Sequence, residues 1–206
     1  YQVEVTHIDG STPVTTKSVP FKLLKGAVLW YENGEVATTP ASTNYTVPEG
    51  VVAAELSTAY TKDVTANSNP NTIYLLGSEV PNGLMGHNVV NKNGITGKLE
   101  LFDGYPYQVP TSITTSALHY HRTIGWNESS WTSLMLPFAP EKVTTADGAT
   151  LSWPLSSTDP DGDLYLLQPT RATQEGIATD YVSAMEAFHP YVITVTNHLR
   201  ATELVF

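Results

Sequence analysis

Residues 126–138, WNESSWTSLMLPF, decide the fold class. Trp126 and Trp131 stand five apart, and Leu134, Leu136 and Phe138 then alternate toward one side. A period of two with aliphatic and aromatic partners suits a half-buried β-strand, because successive side chains point to opposite faces. Pro137 restricts the edge of that strand, since proline has no N–H to place in a ladder. The stretch therefore reads as the keel of a β-rich core.

Working outward, the same rhythm recurs. Gln2–Ile8 and Ala27–Tyr31 are short alternating runs, followed by Asp9-Gly10 and Asn33-Gly34, dipeptides favoured in two-residue hairpin turns. From residue 50 onward come VVAAEL (51–56), TIYLL (72–76), HNVVN (87–91) and KLELF (98–102), separated by Asn, Gly and Pro clusters. No strict repeat links these blocks, yet short strands with polar turns can stack as a few coils of a solenoid or as its cap. A plain meander is the competing arrangement. DGYPYQVP (103–110) forms a proline-punctuated hinge, and the boundary between subdomains is placed at its end. ITTSALHYHRTI, LYLLQP (164–169) and YVITVT (191–196) supply further strands, while TDYVSAMEAF (179–188) fits either a helix or an extended segment. The expected fold is all-β: residues 1–110 as an N-terminal β region of solenoid or repeat-cap type, and 111–206 as an antiparallel β-sandwich.

Composition narrows the function. With 20 acidic against 10 basic residues the net charge is −10, a field that repels phosphate backbones and anionic lipid surfaces, so nucleic acid is excluded as a partner. No run approaches the roughly eighteen apolar residues of a membrane span. The absence of cysteine removes disulfides, thiolate catalysis and thiolate metal ligands together. No basic-then-apolar leader opens the chain, and its start at YQVEV suggests a processed or trimmed product.

Three constellations could carry chemistry. Asp159, Asp161 and Asp163 in TDPDGDLY resemble the opening of a calcium loop, but Leu164 and Thr170 occupy the places of the required glycine and bidentate glutamate. An acidic surface turn is the better reading, with calcium as the ion if one binds. His119 and His121 lie two apart on an expected strand, so both rings project from one face, the start of a zinc or copper site. A third ligand, from His189 or a carboxylate, is not placed by the sequence, so the pair is read as outward polar positions and no cofactor is expected. Glu55, Glu100, Asp103, Glu128 and Glu186 sit in no catalytic frame, and no nucleophile or phosphate-loop motif occurs. The chain is therefore read as not an enzyme, a carbohydrate-active hydrolase or its accessory domain being the alternative. Among the aromatics, Trp126 and Trp131 read as structural, whereas Trp30 and Trp153, in turn-rich settings, are the candidates for a ligand-stacking surface.

Taken in order, NPNTIYLL (69–76), GHNVVN (86–91), LFDGYPYQVP (101–110), HYHRTIGWNESSWTSLMLPF (119–138) and AFHPYVITV (187–195) resemble the C-terminal region of secreted Bacteroidetes-type surface proteins, many with leucine-rich or other repeats upstream. The resemblance covers about residues 50–206. It implies a non-catalytic β module at the cell surface, extracellular, with an adhesion role toward a glycan or protein surface, or a spacer or cap for upstream repeats of the same polypeptide. His119 and His121, where that family holds small or hydroxylated residues, and Phe188-His189, where an Asn-containing turn is usual, depart from its pattern.

Overall fold

In the computed structural model the described residues are 4–9, 12–17, 26–40, 44–56, 63–77, 79–125, 131–152, 162–174 and 176–206. They form an all-β protein with two short 3-10 turns, Asn82–Leu84 and Asn197–Leu199. The chain divides into two compact units. One comprises Tyr1–Ile95 with Pro106–Thr114, the other Thr96–Tyr105 with Thr115–Phe206.

The first unit contains the antiparallel pair Glu4–Asp9 and Thr12–Lys17 and a five-stranded sheet. That sheet runs Val36–Thr39, Ala27–Tyr31, Val51–Glu55, Ile73–Leu76, Asn88–Asn91 in spatial order. Its first two pairings are antiparallel and its last two parallel. The hairpin at Asn33-Gly34 closes over three residues rather than two. Tyr31 N–H donates to Glu35 O at 2.9 Å, and Gly34 takes a φ of 84°, which allows a tight turn to end in a left-handed residue.

Beyond Ala27–Tyr31 the chain winds as a short solenoid. Asn44–Thr46 pairs in parallel with Asp63–Thr65, and Val51–Glu55 with Ile73–Leu76. Each coil thus sets one short strand on each of two sides, advancing 19 residues from Tyr45 to Val64 and 20 from Ala53 to Ile73. Val47, Val51, Ala54, Leu56, Val64, Tyr74, Leu76 and Leu84 fill the space between. Parallel strands joined without helices need their turns satisfied from inside, and buried asparagines do this. Asn67 Nδ2 donates to Val51 O at 2.7 Å and to Pro48 O at 3.2 Å, and its Oδ1 accepts from Tyr74 OH at 3.2 Å. Asn69 Nδ2 donates to Pro106 O at 2.9 Å, and Asn88 Nδ2 to Pro70 O at 3.2 Å.

The second unit carries two four-stranded sheets. One is antiparallel throughout, in the order Thr132–Leu134, Tyr191–Val195, Leu164–Thr173, Gly176–Tyr181. The other is mixed, in the order Leu99–Phe102, Leu118–Thr123, Glu203–Val205, Thr144–Thr145, with a parallel first pairing. The antiparallel expectation covers residues 111–206; the strand that makes this sheet mixed, Leu99–Phe102, precedes that boundary and runs the same way as Leu118–Thr123, to which the chain returns by a long connection. A single apolar cluster draws on both sheets, including Ile124, Leu204 and Phe206 from the side of the mixed one and Leu134, Leu164, Leu166, Tyr191, Ile193 and Val195 from the other. Leu134 and Leu136 are buried and Phe138 packs against them, as the alternation in 126–138 requires. Of residues 179–188, 179–181 complete a strand. The rest is a loop, pinned where Met185 is buried and Glu186 N–H donates to Tyr191 OH at 2.8 Å.

Candidate functional site

The mixed sheet places its polar side chains by register. Parallel pairing sets Glu100 beside His119 and Phe102 beside His121, while antiparallel pairing sets His121 beside Val205 and Thr123 beside Glu203. Leu99 and Leu101 are buried, so Glu100 and Phe102 must face the other way, and the histidines share their face. Glu100, His119 and His121 therefore converge. Their ligand atoms all lie within 4.8 Å of one another.

His121 is the most enclosed of the three. The ring of Phe102 stacks on it with centroids 4.3 Å apart and an interplanar angle of 16°. Its Nδ1 lies 2.9 Å from Glu203 Oε1, and its Nε2 lies 3.4 Å from Glu100 Oε1. His119 Nδ1 lies 3.9 Å from the same Glu100 oxygen, which also receives the Lys98 ammonium. Burial pushes the Glu100 carboxyl up, but the hydrogen bond and charge of Lys98, with His121 and His119 behind it, hold it below its ordinary range. His119 is depressed, first by burial and then by the positive field of Lys98, against the opposing pull of Glu100. The three groups open onto a cleft of about 740 Å³ whose other walls include Glu141, Lys142 and Thr144.

Of the two alternatives for a third group, His189 or a carboxylate, His189 lies elsewhere: its Nε2 is 2.8 Å from Gln168 Nε2 and its ring packs beside Tyr191. The third group is Glu100, which the sequence offered only as one scattered carboxylate among five. Nothing local marks it, because its neighbour His119 arrives through the parallel pairing. Asp103, another of the five, is engaged by the Tyr120 hydroxyl and lies 3.6 Å from Arg122 Nε. Arg122 in turn donates to Ser133 O at 2.8 Å and to Thr132 Oγ1 at 3.0 Å, tying the mixed sheet to the antiparallel one. The His121 imidazole stands between Glu100 and Glu203.

A second feature lies on the outer face of the antiparallel sheet. Trp131 and Tyr181 meet edge to face with ring centroids 6.5 Å apart, and they are 38% and 40% exposed. Two large aromatic rings that remain this open while touching each other form an apolar platform facing solvent. The alternation that buries Leu134 and Leu136 sends odd-numbered Trp131 to the opposite side, so the signal was present in the stretch that reads as core. Trp30 is half-buried on Ala27–Tyr31, paired with Val36 and Ala53 across its two neighbouring strands. Trp153, Asp159 and Asp161 lie outside the described residues, as do Trp126 and Glu128. Asp163 is described, and its carboxylate accepts from Ser152 N at 2.9 Å and Ser152 Oγ at 2.7 Å. Among the described residues no helix is long and apolar enough to cross a membrane. No protein-family model, curated protein or solved structure matches this chain.

Proposed function

We propose that this chain is a non-catalytic, extracellular cell-surface module that adheres to a glycan or related polymer through the outer face of its C-terminal antiparallel sheet. The observation that carries the reading is the exposed Trp131–Tyr181 pair. Sugar rings present flat C–H faces that stack on indole and phenol rings; Tyr181 ends the strand Gly176–Tyr181 and Trp131 directly precedes the strand Thr132–Leu134, so both rings are offered from the sheet. The net charge of −10 adds direction, since it favours neutral or basic polymers over polyanions. The finer fold reading that accompanies this function is a β-sandwich, supported by the single apolar cluster drawn from both four-stranded sheets.

Affinity electrophoresis through gels containing neutral or basic polysaccharides tests the reading directly. The native chain is expected to be retarded in at least one gel, Trp131→Ala and Tyr181→Ala each to abolish the retardation, and Trp30→Ala to leave it unchanged. Free migration of the native chain through every polymer, or retardation that survives loss of both rings, would overturn it.

A further inference from the structure

We propose that Glu100, His119 and His121 bind a divalent transition metal, zinc above all, with a fourth coordination position open to the cleft. The argument starts at His121. An ionised carboxylate can only accept, so the 2.9 Å contact with Glu203 makes Nδ1 the donor and leaves Nε2 as the ring atom turned toward Glu100. That Nε2 is buried and makes no hydrogen bond. It faces Glu100 Oε1 at 3.4 Å, so a buried ring nitrogen without a hydrogen bond stands beside a carboxylate oxygen that also takes the Lys98 ammonium.

A metal ion would engage Nε2 and, in place of the Lys98 ammonium, the Glu100 oxygen. A histidine whose other nitrogen donates to a carboxylate is the arrangement that orients an imidazole toward a metal and raises its basicity. Here Glu203 supplies that carboxylate and Phe102 clamps the ring. Tetrahedral zinc with bonds of about 2.0–2.1 Å sets its ligand atoms about 3.3 Å apart. The His121–Glu100 spacing of 3.4 Å is already there, and the His119–Glu100 spacing of 3.9 Å needs only a small side-chain movement. Two imidazoles and one carboxylate select zinc over calcium or magnesium, which seek oxygen alone. Lys98, half-exposed at 51%, lies where the incoming charge would sit and must swing out as the ion enters.

Zinc chloride titrated calorimetrically into the chelator-treated 206-residue chain is expected to bind one equivalent with a Kd of about 1 µM or tighter, and calcium and magnesium to give no saturable heat. Cobalt(II) is expected to give the intense visible bands of a four-coordinate site. Glu100→Gln and His119→Ala should each weaken zinc by more than about tenfold, Glu203→Gln by about ten- to a hundredfold, and Lys98→Met should tighten it. His119 is 40% exposed, so its replacement leaves the core intact, which circular dichroism verifies. Absence of saturable zinc binding to the native chain, or binding that Glu100→Gln and His119→Ala both leave unchanged, would overturn the proposal and leave His121 as a ring held between two carboxylates.

Discussion

Asp163 illustrates what a single residue does that its sequence neighbourhood does not announce. Within TDPDGDLY it reads as one of three alternating carboxylates, but its partners come from 11 residues earlier, where Ser152 donates both its backbone N–H and its hydroxyl. These two hydrogen bonds, the backbone one first, hold its carboxyl below the usual range against the opposing effect of burial, and His198 Nε2 at 3.3 Å adds to them. A carboxyl depressed in the folded state stabilises the fold above its unfolded-state value of about 3.9, and that contribution is lost as pH falls through the folded-state value. Asp163→Asn is therefore expected to cost about 1–3 kcal/mol at neutral pH and to flatten the acid limb of the stability profile below about pH 4. Urea unfolding at a series of pH values checks both; an unchanged slope would mean that the Ser152 contacts contribute nothing. Trp131 makes the complementary point, because its exposure was legible from parity alone once Leu134 and Leu136 were assigned to the core.

At the scale of elements, the solenoid rests on close approach and on buried amides. Gly83, in the turn Asn82–Leu84, sits so near the strand below that an added Cβ would lie 2.1 Å from Val64 O. Gly83→Ala must push these layers apart, at an expected cost of about 1–3 kcal/mol. Asn67→Ala removes the donors to Val51 and Pro48 carbonyls and is expected to cost about 1–3 kcal/mol. Equilibrium denaturation measures each, and a wild-type midpoint for Asn67→Ala would refute the role assigned to the amide. Stacked short strands were readable from VVAAEL, TIYLL and HNVVN. The burial of Asn67, Asn69, Asn71 and Asn88 was not, since asparagine clusters mark turns in most sequences and only the stacked neighbour decides whether a turn faces inward.

For the molecule as a whole, the all-β class followed from hairpin turns, β-branched runs and sparse helix formers, whereas strand direction did not. Hairpin signals predict antiparallel neighbours, yet Leu99–Phe102 pairs in parallel with a strand 19 residues further on, a relationship that no local pattern encodes. The same pairing brings Glu100 to His119. The chain accordingly passes between its two units after Ile95, after Tyr105 and after Thr114. A fragment starting at residue 111 lacks both the Leu99–Phe102 strand and Glu100. It is expected to expose the edge of Leu118–Thr123, to self-associate in size-exclusion chromatography, and to bind zinc more weakly than the 206-residue chain. A monodisperse fragment with unaltered zinc affinity would contradict that expectation. A further consequence concerns biosynthesis. Glu203–Val205 is an interior member of its sheet, inserted between Leu118–Thr123 and Thr144–Thr145, and Glu203 follows His121 by 82 positions. On the ribosome the histidine-bearing ribbon emerges 82 residues before the segment that flanks it, so its open side must be kept from wayward pairing until that neighbour has been synthesised.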